Sequence, residues 1–304
     1  MRSEMNVKKY LAAALLALAF ALPAHATTVK HNQGETEIDG VPEKVVVFDL
    51  AALDTLGTLG VKVAGVPGSN LPPALRSYVA DDAAKVGTLF EPDYEAVAAL
   101  QPDLIIVGGR SSAKYAELAR IAPTIDLSTD RKDFLASARS NVETLARIFG
   151  KEAEAKAKLD ALDGSVATLK EKAAAAGKAM VLLTTGGRMS AHGPGSRFGI
   201  VYDDYGFKPA AEKLDTGNHG QAMSNEFILE MNPDWLFVVD RDAAIGREGT
   251  SAKQLLDNEL VRQTTAWKKN QVVYLDAANW YLVGGGLTAM QSSVDQILDA
   301  LQQN

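Results

Sequence analysis

A unit made of glutamate, six residues, Pro-Asp, an apolar run and an arginine occurs twice in this chain, 131 residues apart. The first copy is Glu95, Pro102-Asp103, Leu104-Ile-Ile-Val107 and Arg110. The second is Glu226, Pro233-Asp234, Trp235-Leu-Phe-Val-Val239 and Arg241. In both copies the arginine stands eight residues after the proline. Continuous apolar runs of this length suit strands buried on both faces of a parallel sheet. Two such units predict two lobes of similar build. In open α/β sheets a ligand sits beyond the carboxyl ends of the strands. Both arginines follow a strand directly, so each lobe is expected to aim one into a shared cleft.

The flanking sequence extends the same alternation. Val45 to Phe48 reads as a strand, Ala51 to Leu59 as a helix, and Val63 to Val66 as the next strand, so the mature chain is expected to open strand, helix, strand. Ala179 to Leu183 opens the second lobe. Between the lobes, about Asp133 to Ala176, two apolar stripes run at helical spacing: Leu145, Ile148 and Phe149, then Leu159, Leu162, Val166 and Leu169. The lysine- and glutamate-rich far face reads as solvated, and Gly150 and Gly164 are candidate kinks or breaks. The fold class is therefore α/β: two lobes with mainly parallel sheets, joined by a long rigid helix, with a ligand cleft between them. The expected division is a signal at 1–26, an N-terminal lobe at 27–132, a connecting helix at 133–177 and a C-terminal lobe at 178–304.

The first 26 residues carry the marks of export. Arg2, Lys8 and Lys9 precede an apolar run of twelve, Leu11 to Leu22, which Pro23 and the small-x-small Ala24-His25-Ala26 close. Met5 is an alternative start. No cysteine stands at the cleavage point to take a lipid, so the expected location is a periplasm of the Gram-negative type, with membrane contact only through a partner. Of 304 residues none is cysteine, which excludes disulfides, thiolate metal sites and cysteine nucleophiles. The net charge is −7, and loss of three basic residues and one acidic with the signal makes it −9. Such a balance carries no footprint for nucleic acid.

Enzyme motifs are missing. The chain has no Gly-x-Ser-x-Gly elbow, phosphate loop or His-Glu-x-x-His. Gly193-Pro-Gly-Ser-Arg-Phe-Gly199 has the wrong spacing for a dinucleotide fingerprint and reads as a tight turn before a helix, and Asp203-Asp204 reads as surface. The protein is thus expected not to be an enzyme and to have no cofactor of its own. A bare-metal site wants three or four His or carboxylate ligands, and the mature chain offers only His31, His192 and His219. Arg197 in the glycine-rich turn, His219 in Thr216-Gly-Asn-His-Gly220, and Asn279-Trp280-Tyr281 before Gly284-Gly-Gly286 remain as cationic and aromatic groups at lobe edges.

With these segments the chain resembles the periplasmic siderophore-binding proteins of iron ABC importers, in particular the catecholate (enterobactin-type) group with a backbone helix. The specific pieces are Gly193 to Gly199, the His219 loop and Trp280-Tyr281; Val86 to Glu95 and the Pro-Asp strands agree with them. The resemblance implies that Arg110, Arg197 and Arg241 hold the anionic ferric chelate, a task suited to planar, permanently charged forks. It implies that His219 and Tyr281 complete the iron shell when the siderophore supplies four oxygens, and that Glu95 and Glu226 dock the two lobes on an inner-membrane ABC permease. Iron travels as the siderophore complex, and the binding protein is expected to be a monomer. Another iron chelate, haem or a corrinoid is the alternative cargo for the same fold.

Overall fold

The structure is a computed structural model that describes residues 26–69, 71–217 and 219–303. The expected signal segment lies outside the described residues except for Ala26. From Ala26 the chain forms an antiparallel hairpin, β1 (Ala26–His31) with β2 (Gly34–Asp39). The expected order, opening with a strand at Val45, lacks this hairpin. Only Val29 and Ile38 of the hairpin are buried, and it is fastened through Asn32 N–H to Asp126 O at 3.1 Å and Thr36 Oγ1 to Thr124 O at 2.8 Å.

The first lobe is a five-stranded parallel sheet in the order β5-β4-β3-β6-β7. Its strands are β3 (Val45–Val47), β4 (Gly65–Val66), β5 (Ala84–Lys85), β6 (Leu104–Val107) and β7 (Thr124–Asp126). Helices α1 (Leu50–Thr58), α2 (Pro73–Arg76), α3 (Tyr94–Leu100) and α4 (Tyr115–Leu118) connect them. Helix α5 (Phe134–Phe149) and helix α6 (Glu152–Ala176) follow. The predicted connecting stretch thus divides into two helices at Gly150, one of its two candidate breaks. Gly150 stops α5 in the left-handed conformation at φ 62°, the usual helix-ending device. Gly164 leaves α6 unbroken, with nothing near where a Cβ would stand.

The second lobe is a mixed sheet, β11-β9-β8-β12-β13, with β10 beside the start of β8. Strands β8 (Lys178–Thr185), β12 (Trp235–Asp240) and β13 (Val272–Tyr274) are parallel, as predicted. Strand β9 (Arg188–His192) folds back antiparallel through the Gly186-Gly187 turn, and β11 (Gln221–Met223) extends that edge; β10 is Lys208–Pro209. Helices α7 (Ile200–Asp203), α8 (Asn225–Met231), α9 (Arg241–Ala244), α10 (Ala252–Leu256) and α11 (Thr265–Lys268) complete the lobe.

The repeated unit has one physical explanation in both lobes. Helices α3 and α8 are seven residues long and end on left-handed Gln101 and Asn232, each just before its proline. Asp103 then receives Glu43 N–H and Lys44 N–H at 3.0 and 2.8 Å, and Asp234 receives Lys178 N–H at 2.8 Å. Each aspartate ties its own strand to the start of the neighbouring one, so strand and arginine leave the sheet in the same register.

The lobes have a second connection besides the predicted rod. Helix α12 (Leu287–Gln302) packs on α6 and on α1, and Leu282, Val283 and Ala289 join the core of the first lobe. Asp54 of α1, buried, accepts from Thr288 N–H at 2.7 Å and Ala289 N–H at 3.2 Å. One lobe's carboxylate thereby caps the free amides at the start of the other's last helix.

Candidate functional site

Residues of both lobes, Tyr281 among them, line a cavity of about 1050 Å³. Arg110 leaves the end of β6 and donates from Nη2 to the Tyr281 carbonyl at 2.6 Å. Arg197 donates from Nη2 to that same carbonyl at 2.7 Å. Arg241, first residue of α9, donates from Nε to the Tyr281 hydroxyl at 2.8 Å and from Nη1 to Thr185 Oγ1 at 3.3 Å. The guanidinium carbons lie 5.3, 4.1 and 5.6 Å from the Tyr281 ring centre for Arg110, Arg197 and Arg241 in turn, within cation–π range. Three arginines from separate elements therefore meet on one residue.

Local chemistry fixes each of them. Arg197 sits in the turn Gly193 to Gly199, where Ser196 Oγ donates to Gly193 O at 2.6 Å and Asp203 Oδ2 accepts Gly195 N–H at 2.7 Å. Gly195 has φ +67°, and a Cβ on Gly199 would fall 2.6 Å from Asp203 Oδ2. Asp203, exposed as the sequence suggested, is thus the latch of this turn. Next to Arg241, buried Asp242 accepts from Gly186 N–H at 2.5 Å and lies 3.6 Å from Arg241 Nη1, joining α9 to the β8–β9 hairpin.

The electrostatics follow from the convergence. Burial alone would raise the Tyr281 phenol, but the Arg241 hydrogen bond and the charge and hydrogen bond of Arg197 outweigh it and set it below its ordinary pKa. Burial and the charge of Arg110 lower Arg197 in turn, while Tyr281 opposes them. The cavity lining holds six arginines, Arg110, Arg131, Arg188, Arg197, Arg241 and Arg247, against one carboxylate, Asp49. On a chain of net charge −7 this is a local inversion of sign.

His219 lines the same cavity and is exposed, in a turn closed by Gly220 N–H to Gly217 O at 3.1 Å. It is not one of the side chains that meet at Tyr281. Behind it, Gly220 (φ +64°) lies so close to His192 that a Cβ would fall 2.7 Å from its Nε2. His192 is fully buried with neither ring nitrogen hydrogen-bonded, and burial, with the charges of Arg197 and His219, pushes its pKa down to about 4. Glu95 and Glu226 lie outside the cavity, exposed in the first turns of the equivalent helices α3 and α8. The Ser224 side chain and a backbone N–H hold Glu226 below the usual carboxylate range.

The structure places the predicted Arg110, Arg197, Arg241, His219 and Tyr281 on one cavity, and adds to them the rim arginines Arg131, Arg188 and Arg247, which the sequence expectation lacks. Arg188 had a legible signal, since it follows the Gly186-Gly187 turn that makes the cavity-facing hairpin.

A model of the periplasmic binding protein family matches residues 45–278. The chain is 43% identical over 281 residues to a petrobactin-binding protein of Bacillus subtilis, covering 91% of this chain and 88% of that one. The crystal structure of a Bacillus subtilis petrobactin-binding protein superposes with a TM-score of 0.88, covering 92% of this chain and all of that chain. A ferric-anguibactin-binding protein of Vibrio anguillarum is 32% identical over 90% of this chain and 87% of its own. The periplasmic catecholate-siderophore binding protein of Vibrio cholerae superposes with a TM-score of 0.85 at 32% identity, over 92% of this chain and all of that one. This chain belongs to the periplasmic binding protein family, among relatives that are siderophore-binding proteins of iron importers.

Proposed function

We propose that the protein captures ferric catecholate siderophores in the periplasm and delivers them to an inner-membrane ABC permease. The observation that carries this reading is the meeting of Arg110, Arg197 and Arg241 on Tyr281 in the inter-lobe cavity. A ferric tris-catecholate is a trianion, and three permanently charged forks match it in charge and in hydrogen-bond geometry. The arginines are already gathered, so binding requires little reorganisation and replaces protein acceptors with ligand oxygens. When the siderophore fills only four iron positions, Tyr281 and His219 supply the remaining donors. The lowered pKa of Tyr281 supports this role, because phenolate is the ligating form. Glu95 and Glu226, at equivalent exposed positions on the two lobes, are the proposed permease contacts. The relatives' names as binding proteins for ferric siderophores support the cargo class.

Quenching of the three tryptophans tests the assignment. Titration with ferric bis-catecholate, ferric tris-catecholate, ferric hydroxamate and haem should give tight binding of the catecholates alone. Arg197→Ala and Arg241→Ala should each weaken it about tenfold or more, as expected for one charge-assisted hydrogen bond. Preference for haem or hydroxamate, or arginine variants that bind like the parent, refutes the reading.

A further inference from the structure

Among the described residues two large apolar side chains stand well exposed, Val41 and Phe90, and Phe90 is the one that lines the cavity. Phe90 is 55% exposed, whereas the adjacent Leu89 is buried at 4%. Both belong to one hydrogen-bonded turn. Thr88 Oγ1 accepts from Phe90 N–H at 3.2 Å and Glu91 N–H at 3.0 Å, while Thr88 N–H donates to Glu91 O at 2.9 Å. Gly87, at φ +99°, allows the tight closure: a Cβ there would meet Glu91 O at 2.4 Å. Lys114 Nζ holds Glu91 at 2.9 Å from the outside. The chain therefore buries one neighbour as an anchor and holds the other, a phenyl ring, at the cavity in water.

We propose that Phe90 is a specificity-determining ligand contact, its ring lying against an aromatic ring of the bound chelate. The inference rests on the ferric-catecholate reading and deepens it. A guanidinium donates to any anionic oxygen, so the arginines cannot tell a catecholate from a carboxylate chelate of equal charge. Discrimination needs a surface that rewards an aryl ring, and a phenyl ring does so through offset or edge-on packing beyond simple area burial. Because the turn is fixed by its own hydrogen bonds, the contact costs little ordering when the ligand arrives.

The test is a titration of the parent protein, Phe90→Ala and Phe90→Leu with a ferric bis-catecholate and with ferric citrate, which has no ring. Phe90→Ala should lose up to about tenfold in catecholate affinity, Phe90→Leu should lose less, and citrate affinity should not change. In Phe90→Trp, the gallium(III) bis-catecholate, which lacks the iron charge-transfer band, should blue-shift the added indole's emission and shield it from acrylamide. Equal loss for both chelates, or an unshifted indole, overturns the inference, as does unchanged affinity with lost uptake, which would assign the ring to the permease. A parent protein that binds no catecholate overturns the proposed function as well. A parent that binds it, with Phe90→Ala indistinguishable, overturns this inference alone.

Discussion

Replacing Tyr281 by phenylalanine separates two roles that one residue holds. The Tyr281 hydroxyl accepts from Arg241 at 2.8 Å, while its carbonyl accepts from Arg110 and Arg197. The substitution deletes the first bond and leaves the other two. A charge-assisted bond is worth about 1.5–3 kcal/mol, and both groups are only half buried, so screening reduces this one to roughly 1 kcal/mol. A hexadentate tris-catecholate has no vacant iron position and must take Arg241 from the phenol. Without the hydroxyl Arg241 keeps Thr185 Oγ1 and Asp242 as partners but no longer has to leave the phenol, so that ligand should bind as well or up to about fivefold tighter. A tetradentate bis-catecholate loses a phenolate donor instead and should bind at least about tenfold more weakly, a loss of ~1.4 kcal/mol. Fluorescence titration gives both affinities, and absorption and circular dichroism should show the phenolate-to-iron band disappearing from the tetradentate complex alone. Equal weakening of the two ligands would mean that the ring shapes the cavity without touching iron. No effect on either would remove Tyr281 from the site.

Charge reversal of both Glu95 and Glu226 should abolish siderophore uptake while leaving ferric-siderophore affinity intact, since both are exposed outside the cavity; a fall in affinity refutes the docking role. Two buried groups should nearly cancel in the pH dependence of stability. Asp54, pushed up to about 6 by burial against the opposing Ala289 and Thr288 amides, keeps its proton in the folded protein up to about that pH and is a carboxylate above it, so stability falls as pH rises from about 4 to 6. His192, pushed down to about 4, refuses its proton when folded, so stability falls as pH drops from about 6.5 to 4. Each amounts to roughly 3 kcal/mol, and Asp54→Asn should uncover the histidine slope as a melting temperature that rises with pH over this range; a variant with the parent's profile refutes the pairing.

What the sequence disclosed and what it hid divide along physical lines. Leu104 to Val107 and Trp235 to Val239 were legible because strands buried on both faces are apolar without interruption. Arg110 and Arg241 followed from position, since each leaves such a strand at its carboxyl end. The β1–β2 hairpin was not legible, because each strand buries one side chain and its alternation is mostly polar. The antiparallel edge of the second sheet was hidden too, its signal being little more than the Gly186-Gly187 turn. His192 had no pattern to mark it; only the fold puts it beneath Gly220 and beside Arg197. Phe90 was visible as a letter in Val86 to Glu95, but a sequence does not say which of two adjacent apolar residues faces water.

The anchor of the site could not be read from side chains at all, since it is a backbone oxygen. Three guanidiniums gathered in one cleft repel one another, and something must hold them there. Asn279–Val283 forms a single wide helical turn, and Gly286 N–H goes to Val283 O at 2.9 Å. The carbonyls in the last turn of a helix lack partners further along the chain and carry the negative end of its dipole. The Tyr281 carbonyl is one of these, and Arg110 and Arg197 occupy it, one from each lobe. The phenol of the same residue takes Arg241. Gly284-Gly-Gly286 ends the turn there, and Gly285, at φ +98°, adopts a conformation that a side chain would strain. The glycines thus act on the arginines at one remove: by stopping the helix after Val283 they leave an acceptor where the two lobes meet. The cost of assembling three like charges is met during folding, and an arriving anion finds them gathered rather than having to gather them.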